Sequence, residues 1–143
     1  MVLGVLLGLT AAAATGAASV AMPASAVGEY VRSDGFLHER LTLAAPDTFV
    51  YVEVGCVGGP TRYEGKARVT PDRVSIQGGH GALERALIRV AWGERRYLVP
   101  SSQVERFCAY ATGKATDAPL PYFLRAEDQT KPSPTTERPS QCK

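Results

Sequence analysis

The sequence predicts a mainly β fold: a small antiparallel meander or barrel of about seven short strands, with one amphipathic helix near residues 102–112. Three observations predict it. From Glu29 to Val99 apolar and polar residues alternate with a period of two, the repeat that sends successive side chains to opposite faces of a strand. Pro, Gly and Asp break that alternation at short intervals, so sequential strands are expected to pair as hairpins. The period then lengthens to that of a helix over one stretch only, after Ser101.

Each element has its own signal. Leu41 and Leu43 alternate with Arg40, Thr42 and Ala44, and Pro46-Asp47 makes a turn. Thr48 to Val54 is rich in β-branched and aromatic residues and reads as a strand. Gly55 to Pro60 is a glycine-rich loop that carries Cys56. In the next strand Arg62, Glu64, Lys66 and Arg68 take one face, and Thr61, Tyr63, Gly65, Ala67 and Val69 take the other. Such a half-solvated strand suits an antiparallel sheet, because parallel strands are normally covered on both faces. Pro71 sits second in the turn Thr70 to Arg73, where its fixed φ is favoured. Val74 and Ile76 begin a short strand, and Gln77 to Ala82 is a loop.

Ala86, Ile88, Val90 and Trp92 line one face of the following strand. Gly93-Glu94, with Gly first, suits a type II′ hairpin. Arg95 to Val99 returns and Pro100 stops it. Ser102 and Glu105 have capping-box spacing, Val104, Phe107, Cys108 and Ala111 fall on one helical face, and Gly113 is placed to end the helix. Tyr122 to Leu124 is a last short strand.

Three segments follow from composition: residues 1–26, 27–126 and 127–143. Met1 to Ala26 has no charged side chain, an apolar stretch from Val2 to Leu9, an alanine-rich run and a closing Ala24-Ser25-Ala26. That order predicts a secretory signal peptide cut between Ala26 and Val27, although its start lacks the customary Lys or Arg. A buried N-terminal helix is the alternative. Its apolar core, broken by Gly4, Gly8 and Gly16, is too short for a membrane anchor, and no Cys follows it as a lipobox would require. The expected location is therefore secreted or periplasmic, with no membrane span after cleavage. Residues 27–126 form the β domain. Residues 127–143 are Pro, Ser, Thr and charge with little apolar content beyond Cys142, and are expected to be a disordered tail.

The formal net charge is +2, and every Lys, Arg, Asp and Glu follows Ala26 with the signs interspersed. A nucleic-acid partner would call for a basic face, and a membrane-surface role for a polybasic run; the chain has neither pattern.

Two segments carry a resemblance. Leu41-Thr42-Leu43, Asp47-Thr48-Phe49, Gly65-Lys66-Ala67 and Asp72-Arg73-Val74-Ser75-Ile76, within residues 28–76, resemble a lipocalin-like half-barrel of small bacterial envelope proteins. The glycine usual after the turn aspartate is missing, and Ala67 stands where an aromatic is common. Arg89 to Gly113, with Trp92 to Pro100 and then Phe107-Cys108, resembles a segment of uncharacterised exported bacterial proteins. Neither resemblance brings functional residues with it.

Candidate sites are few. Phe49, Tyr63 and Trp92 are the expected ligand-binding residues of an apolar pocket; they equally suit the filled interior of a small barrel. His38 and His80, the two histidines, have no metal-ligand spacing with Glu39, Glu53 or Cys56, so no metal is expected. Ser101 and Ser102 read as helix caps rather than nucleophiles, and neither glycine-rich loop leads into a phosphate-binding pattern. No catalytic residue and no cofactor are expected. Three cysteines suggest one disulfide and one remaining thiol, with Cys56–Cys108 favoured and Cys108–Cys142 the rival. The functional expectation is a non-enzymatic binding module for a small apolar ligand or an envelope protein. A disulfide-linked structural or interaction module is the alternative, and a hydrolase without a recognisable motif a remote one.

Overall fold

Hairpin pairing runs unbroken along the chain and then closes on itself. The computed structural model describes residues 21–115, 122–134 and 137–143. Its strands are β1 (Gly28–Ser33), β2 (Leu37–Ala44), β3 (Thr48–Gly55), β4 (Thr61–Val69), β5 (Arg73–Gly78), β6 (Ala86–Trp92), β7 (Arg95–Pro100) and β8 (Phe123–Arg125). Each pairs antiparallel with its sequence neighbour. Leu124 of β8 lies opposite both Tyr97 of β7 and Val31 of β1, so the sheet is a closed barrel. The expected meander or barrel is thus a closed barrel of eight strands, where about seven were expected. Closure removes both sheet edges, which otherwise present unpaired backbone groups.

Two apolar clusters hold the fold. The first fills the barrel: Tyr30, Leu41, Leu43, Phe49, Tyr51, Ala67, Val74, Ile76, Leu87, Leu98 and Phe123 are all buried in it. Their spacing is the period-two alternation, and the charges of β4 point outward. The second cluster lies outside the barrel wall. There Val90, Trp92 and Val99 meet Phe107 of helix α1 (Val104–Ala111) and Tyr122. Trp92 meets Phe107 edge-on with centroids 5.7 Å apart, and Phe107 meets Tyr122 the same way at 5.0 Å.

The helix differs from expectation at its start. A 3-10 turn, Ser101–Gln103, precedes α1, and no side-chain cap is formed at either start. Both serines instead donate to Glu84, at 2.5 and 2.6 Å, and the Ser102 amide donates to the same carboxylate at 2.9 Å. A carboxylate brought from the loop before β6 therefore does the work expected of a local capping box. Gly113 ends the helix with φ +72°, as its position suggests.

Two further expectations are corrected. Residues 127–143 do not trail from the domain where they are described. Asp128 is fully buried, Lys131 O accepts from Arg95, and Glu137 O accepts from the Trp92 indole at 2.5 Å. A segment poor in apolar residues gains order here through hydrogen bonds and a covalent link rather than its own core. That link corrects the favoured pairing and is the rival one. Cys108 is bonded to Cys142, with Cα atoms 5.1 Å apart, and not to Cys56. Cys56 is in the β3–β4 loop, where its thiol donates to Phe36 O, whereas α1 packs on β6 and β7. Of the expected signal peptide, residues 1–20 lie outside the described residues.

Candidate functional site

The barrel has two mouths, each closed by a segment of chain. At the first, where β3 ends and β4 begins, the Gly78-to-Leu83 loop folds over the opening. Leu83 plugs it as a buried member of the interior cluster. The Ala82 amide donates to Glu53 at 2.9 Å. Gly81, at φ +50°, lies against Tyr63; an added Cβ would stand 2.5 Å from that ring, so a side chain there would push the loop off. His80 is held in the same loop, Nδ1 bonding Leu83 O at 2.7 Å and Nε2 accepting from Arg85 at 3.0 Å. With both ring nitrogens engaged, it serves the loop.

Below this loop lies a polar network inside the wall. Glu39, only 6% exposed, accepts Arg32 Nε and Nη2 in a two-pronged pair and the Tyr51 hydroxyl at 2.6 Å. The Arg32 guanidinium also covers the Phe123 ring at 4.5 Å. Burial, and then the bond to Glu39, push the Tyr51 phenol far above its ordinary value, so it remains a donor.

The second mouth is where β1 begins and β8 ends. Residues 21–26 lie across it as a strap. Met22 and Ala26 are buried in the interior cluster, and the Met22 amide donates to Pro46 O at 2.7 Å. Tyr30 donates to Ala26 O at 3.1 Å. Burial raises the Tyr30 phenol, while the positive charges of Arg125, Arg89 and Arg96 pull it back. These three arginines converge because Arg89, Arg96 and Arg125 occupy inward positions of β6, β7 and β8 where the wall reaches the rim. Arg96 is neutralised by Asp128 and Glu127, and Arg125 by Glu127 at 3.0 Å. Arg89 makes no ion pair among the described residues; it donates to Thr70 O at 2.8 Å and to Ser25 Oγ at 3.1 Å.

Two cavities open at this mouth. One, of about 180 Å³, is walled by Tyr30, Val90, Tyr97 and Leu98 with Arg89 and Arg96. The other, of about 460 Å³, is walled by Ala21, Pro23 and Val69. Ser25, Pro71 and Arg89 line both, so the strap is part of the partition between them. A third cavity, about 560 Å³, is a groove on the outer wall between β3 and β8, lined by Val31, Val52, Val54, Tyr122 and Leu124 with His38 and Arg40.

The expected ligand residues separate. Phe49 and Tyr63 face the barrel interior, Phe49 fully buried and Tyr63 stacked on Tyr51 at 5.9 Å. Trp92 lies outside the wall beneath α1. No single pocket joins all three. His38 lines the outer groove while His80 serves its loop, and no three His, Cys, Asp or Glu side chains gather in metal-binding positions among the described residues. No helix among the described residues is long and apolar enough to cross a membrane. The arginine cluster is not legible in the sequence, because Arg89, Arg96 and Arg125 are scattered in the chain and meet only when β8 closes the barrel. Comparison with known protein families, curated proteins and solved structures finds no match to the chain. The fold and its mouths define a small closed antiparallel barrel with plugged ends.

Proposed function

We propose that the protein is an exported, non-enzymatic barrel that binds a small apolar ligand at the strap mouth. The single observation that carries this reading is the hollow at that mouth, whose lining after Ala26 joins the two cavities beside Arg89. Apolar walls from Tyr30, Val69, Val90 and Leu98 surround a few convergent polar groups, chiefly Arg89 and the Tyr30 hydroxyl. Ligand sites generally have that make-up: a concave apolar lining with a small number of placed polar groups that fix orientation. Export is supported by the apolar leader and its small-x-small close at Ala24-Ser25-Ala26. The resemblance of residues 28–76 to lipocalin-like envelope proteins points the same way.

Native mass spectrometry of the protein recovered from its own host tests this, together with thermal shifts against a panel of fatty acids, isoprenoids and phenols. A co-purifying compound, or a rise in melting temperature with one class, is the expected result. A bare protein that responds to none overturns the reading.

A second reading, an interaction module, is favoured by the opposite mouth. Cys56 is an exposed free thiol, and beside it Phe36 is 78% and Val57 95% exposed. Loop tips that present a thiol and large apolar groups suit a contact with another protein. A Cys56-linked species in non-reducing gels of the exported protein would support it.

A further inference from the structure

We propose that Ala21–Ala26 is a removable plug, and that cleavage after Ala26 opens the strap mouth into a site for a carboxylate on an apolar chain, its head held by Arg89 and Arg125. This rests on the export and binding reading above and names the ligand class of that same site. One residue of the plug carries the argument. Ser25 Oγ accepts from Arg89 Nη2 at 3.1 Å, and the Ser25 main-chain oxygen accepts from Arg125 Nη1 at 3.0 Å. Two oxygens on a short frame thus bridge two guanidinium groups, which is what a carboxylate offers in stronger, charged form. Cleavage removes both oxygens and leaves the two donors without these acceptors. Among the described residues the Arg89 guanidinium then keeps only Thr70 O, and Arg125 keeps Val27 O and Glu127.

The same cut adds positive charge. It creates an α-ammonium on Val27, whose carbonyl Arg125 holds at 2.9 Å; such a group is largely protonated at neutral pH. It also frees the Tyr30 hydroxyl from Ala26 O, giving a further polar contact. The apolar half of the site comes from what the plug fills. Met22 and Ala26 leave the interior cluster, and with them go Ser25 between the two cavities and the Ala21 and Pro23 wall of the larger one, which leaves Tyr30, Val69 and Leu98 as the apolar lining. What remains is an apolar hollow under a positive rim.

The test compares the secreted protein, its N-terminus read by intact mass, with Ala21–Lys143 made without a leader. Dodecanoic acid and dodecan-1-ol are the probes, titrated by calorimetry. The secreted form should begin at Val27 and bind the acid about tenfold or more tighter than the alcohol, the worth of one charge-assisted contact. Ala21–Lys143 should bind the acid at least about tenfold more weakly, because its plug is in place. In the secreted form Arg89→Gln should weaken acid binding about tenfold or more and alcohol binding by less, so that the preference for acid shrinks; circular dichroism checks its folding. A secreted protein that begins at or before Met22 overturns the plug, as does equal binding by the two forms. Binding of another compound class by both forms also overturns it, yet leaves the binding reading standing. If neither form binds any compound of the panel, the binding reading itself falls and the plug with it.

Discussion

Asp128 is fully buried against Arg96, whose guanidinium and main-chain amide both reach it at 2.8–2.9 Å. Lys131 adds a second cation at 2.7 Å. This one side chain fixes the segment after β8 to the start of β7. The Arg96 bonds, with help from Lys131, hold the Asp128 carboxyl well below the usual carboxylate range despite its burial.

The charged form of Asp128 therefore stabilises the fold. Its contribution is complete above the unfolded carboxylate pKa of about 4 and is lost progressively as the pH falls below that toward the lower folded value. Asp128→Asn should cost about 3 kcal/mol at neutral pH, the low end for breaking a buried pair, because Arg96 stays partly in water. Urea denaturation at a series of pH values measures it. The gap between variant and parent should close as the pH falls below about 4; a constant gap would show that the charge is not the cause.

The Cys108–Cys142 bond ties the end of the chain to α1 across 34 residues. Closing a loop of that length stabilises by about 4 kcal/mol in the chain-entropy model. Cys142→Ser should lower stability by up to about that amount, whereas Cys56→Ser, at an exposed thiol, should change it by less than about 0.5 kcal/mol. Non-reducing peptide mapping should recover Cys108 and Cys142 in one linked peptide, with Cys56 free to alkylation.

Much of the barrel is legible in the alternation, and β4 shows why. Its outward charges, Arg62, Glu64, Lys66 and Arg68, and its inward Tyr63, Gly65 and Ala67 leave one register possible, since a one-residue slip would bury four charges. β6 shows where legibility ends. Ile88, Val90 and Trp92 do share a face, but it is the outer one, covered by α1, while Leu87 faces the interior. An apolar stripe marks a covered face without saying what covers it. The helix docks through Phe107, and only that docking assigns Trp92 to the outer cluster. The order of residues 127–134 and 137–143 is hidden for a related reason. It depends on Asp128, Cys142 and backbone carbonyls meeting groups far away in the chain, and composition carries no trace of such pairings.

Trp92 tests that assignment. Its indole touches Phe107, Tyr97 and Tyr110 and donates to Glu137 O. Trp92→Ala should cost about 3–5 kcal/mol, as removal of a buried aromatic does. Lys66→Ala, whose ion pair with Asp47 spans 2.8 Å but is 61% exposed on the lysine side, should cost less than about 0.5 kcal/mol. Trp92→Phe, with the ring kept, should leave ligand affinity at the strap mouth unchanged, since Trp92 lines neither cavity there. A tenfold loss of affinity in a folded Trp92→Phe protein would place the ligand beneath the helix instead.

The Arg32–Glu39–Tyr51 network makes the last prediction. Glu39→Gln removes the charge that Arg32 needs, and Arg32 is only 16% exposed at its side chain. The loss should be about 3–5 kcal/mol, because an unpaired guanidinium then remains in the wall. Tyr51→Phe removes one hydrogen bond to a carboxylate and leaves the ion pair intact, so it should cost less, about 1.5–3 kcal/mol. The triple variant Arg32→Met, Glu39→Leu, Tyr51→Phe removes every polar member together. Replacing a buried polar set by apolar side chains of similar size avoids the orphaned charge, so the triple should lose less stability than Glu39→Gln alone. Equilibrium denaturation of the three proteins ranks them. A triple variant less stable than Glu39→Gln would mean that the network contributes net stability beyond satisfying its own members.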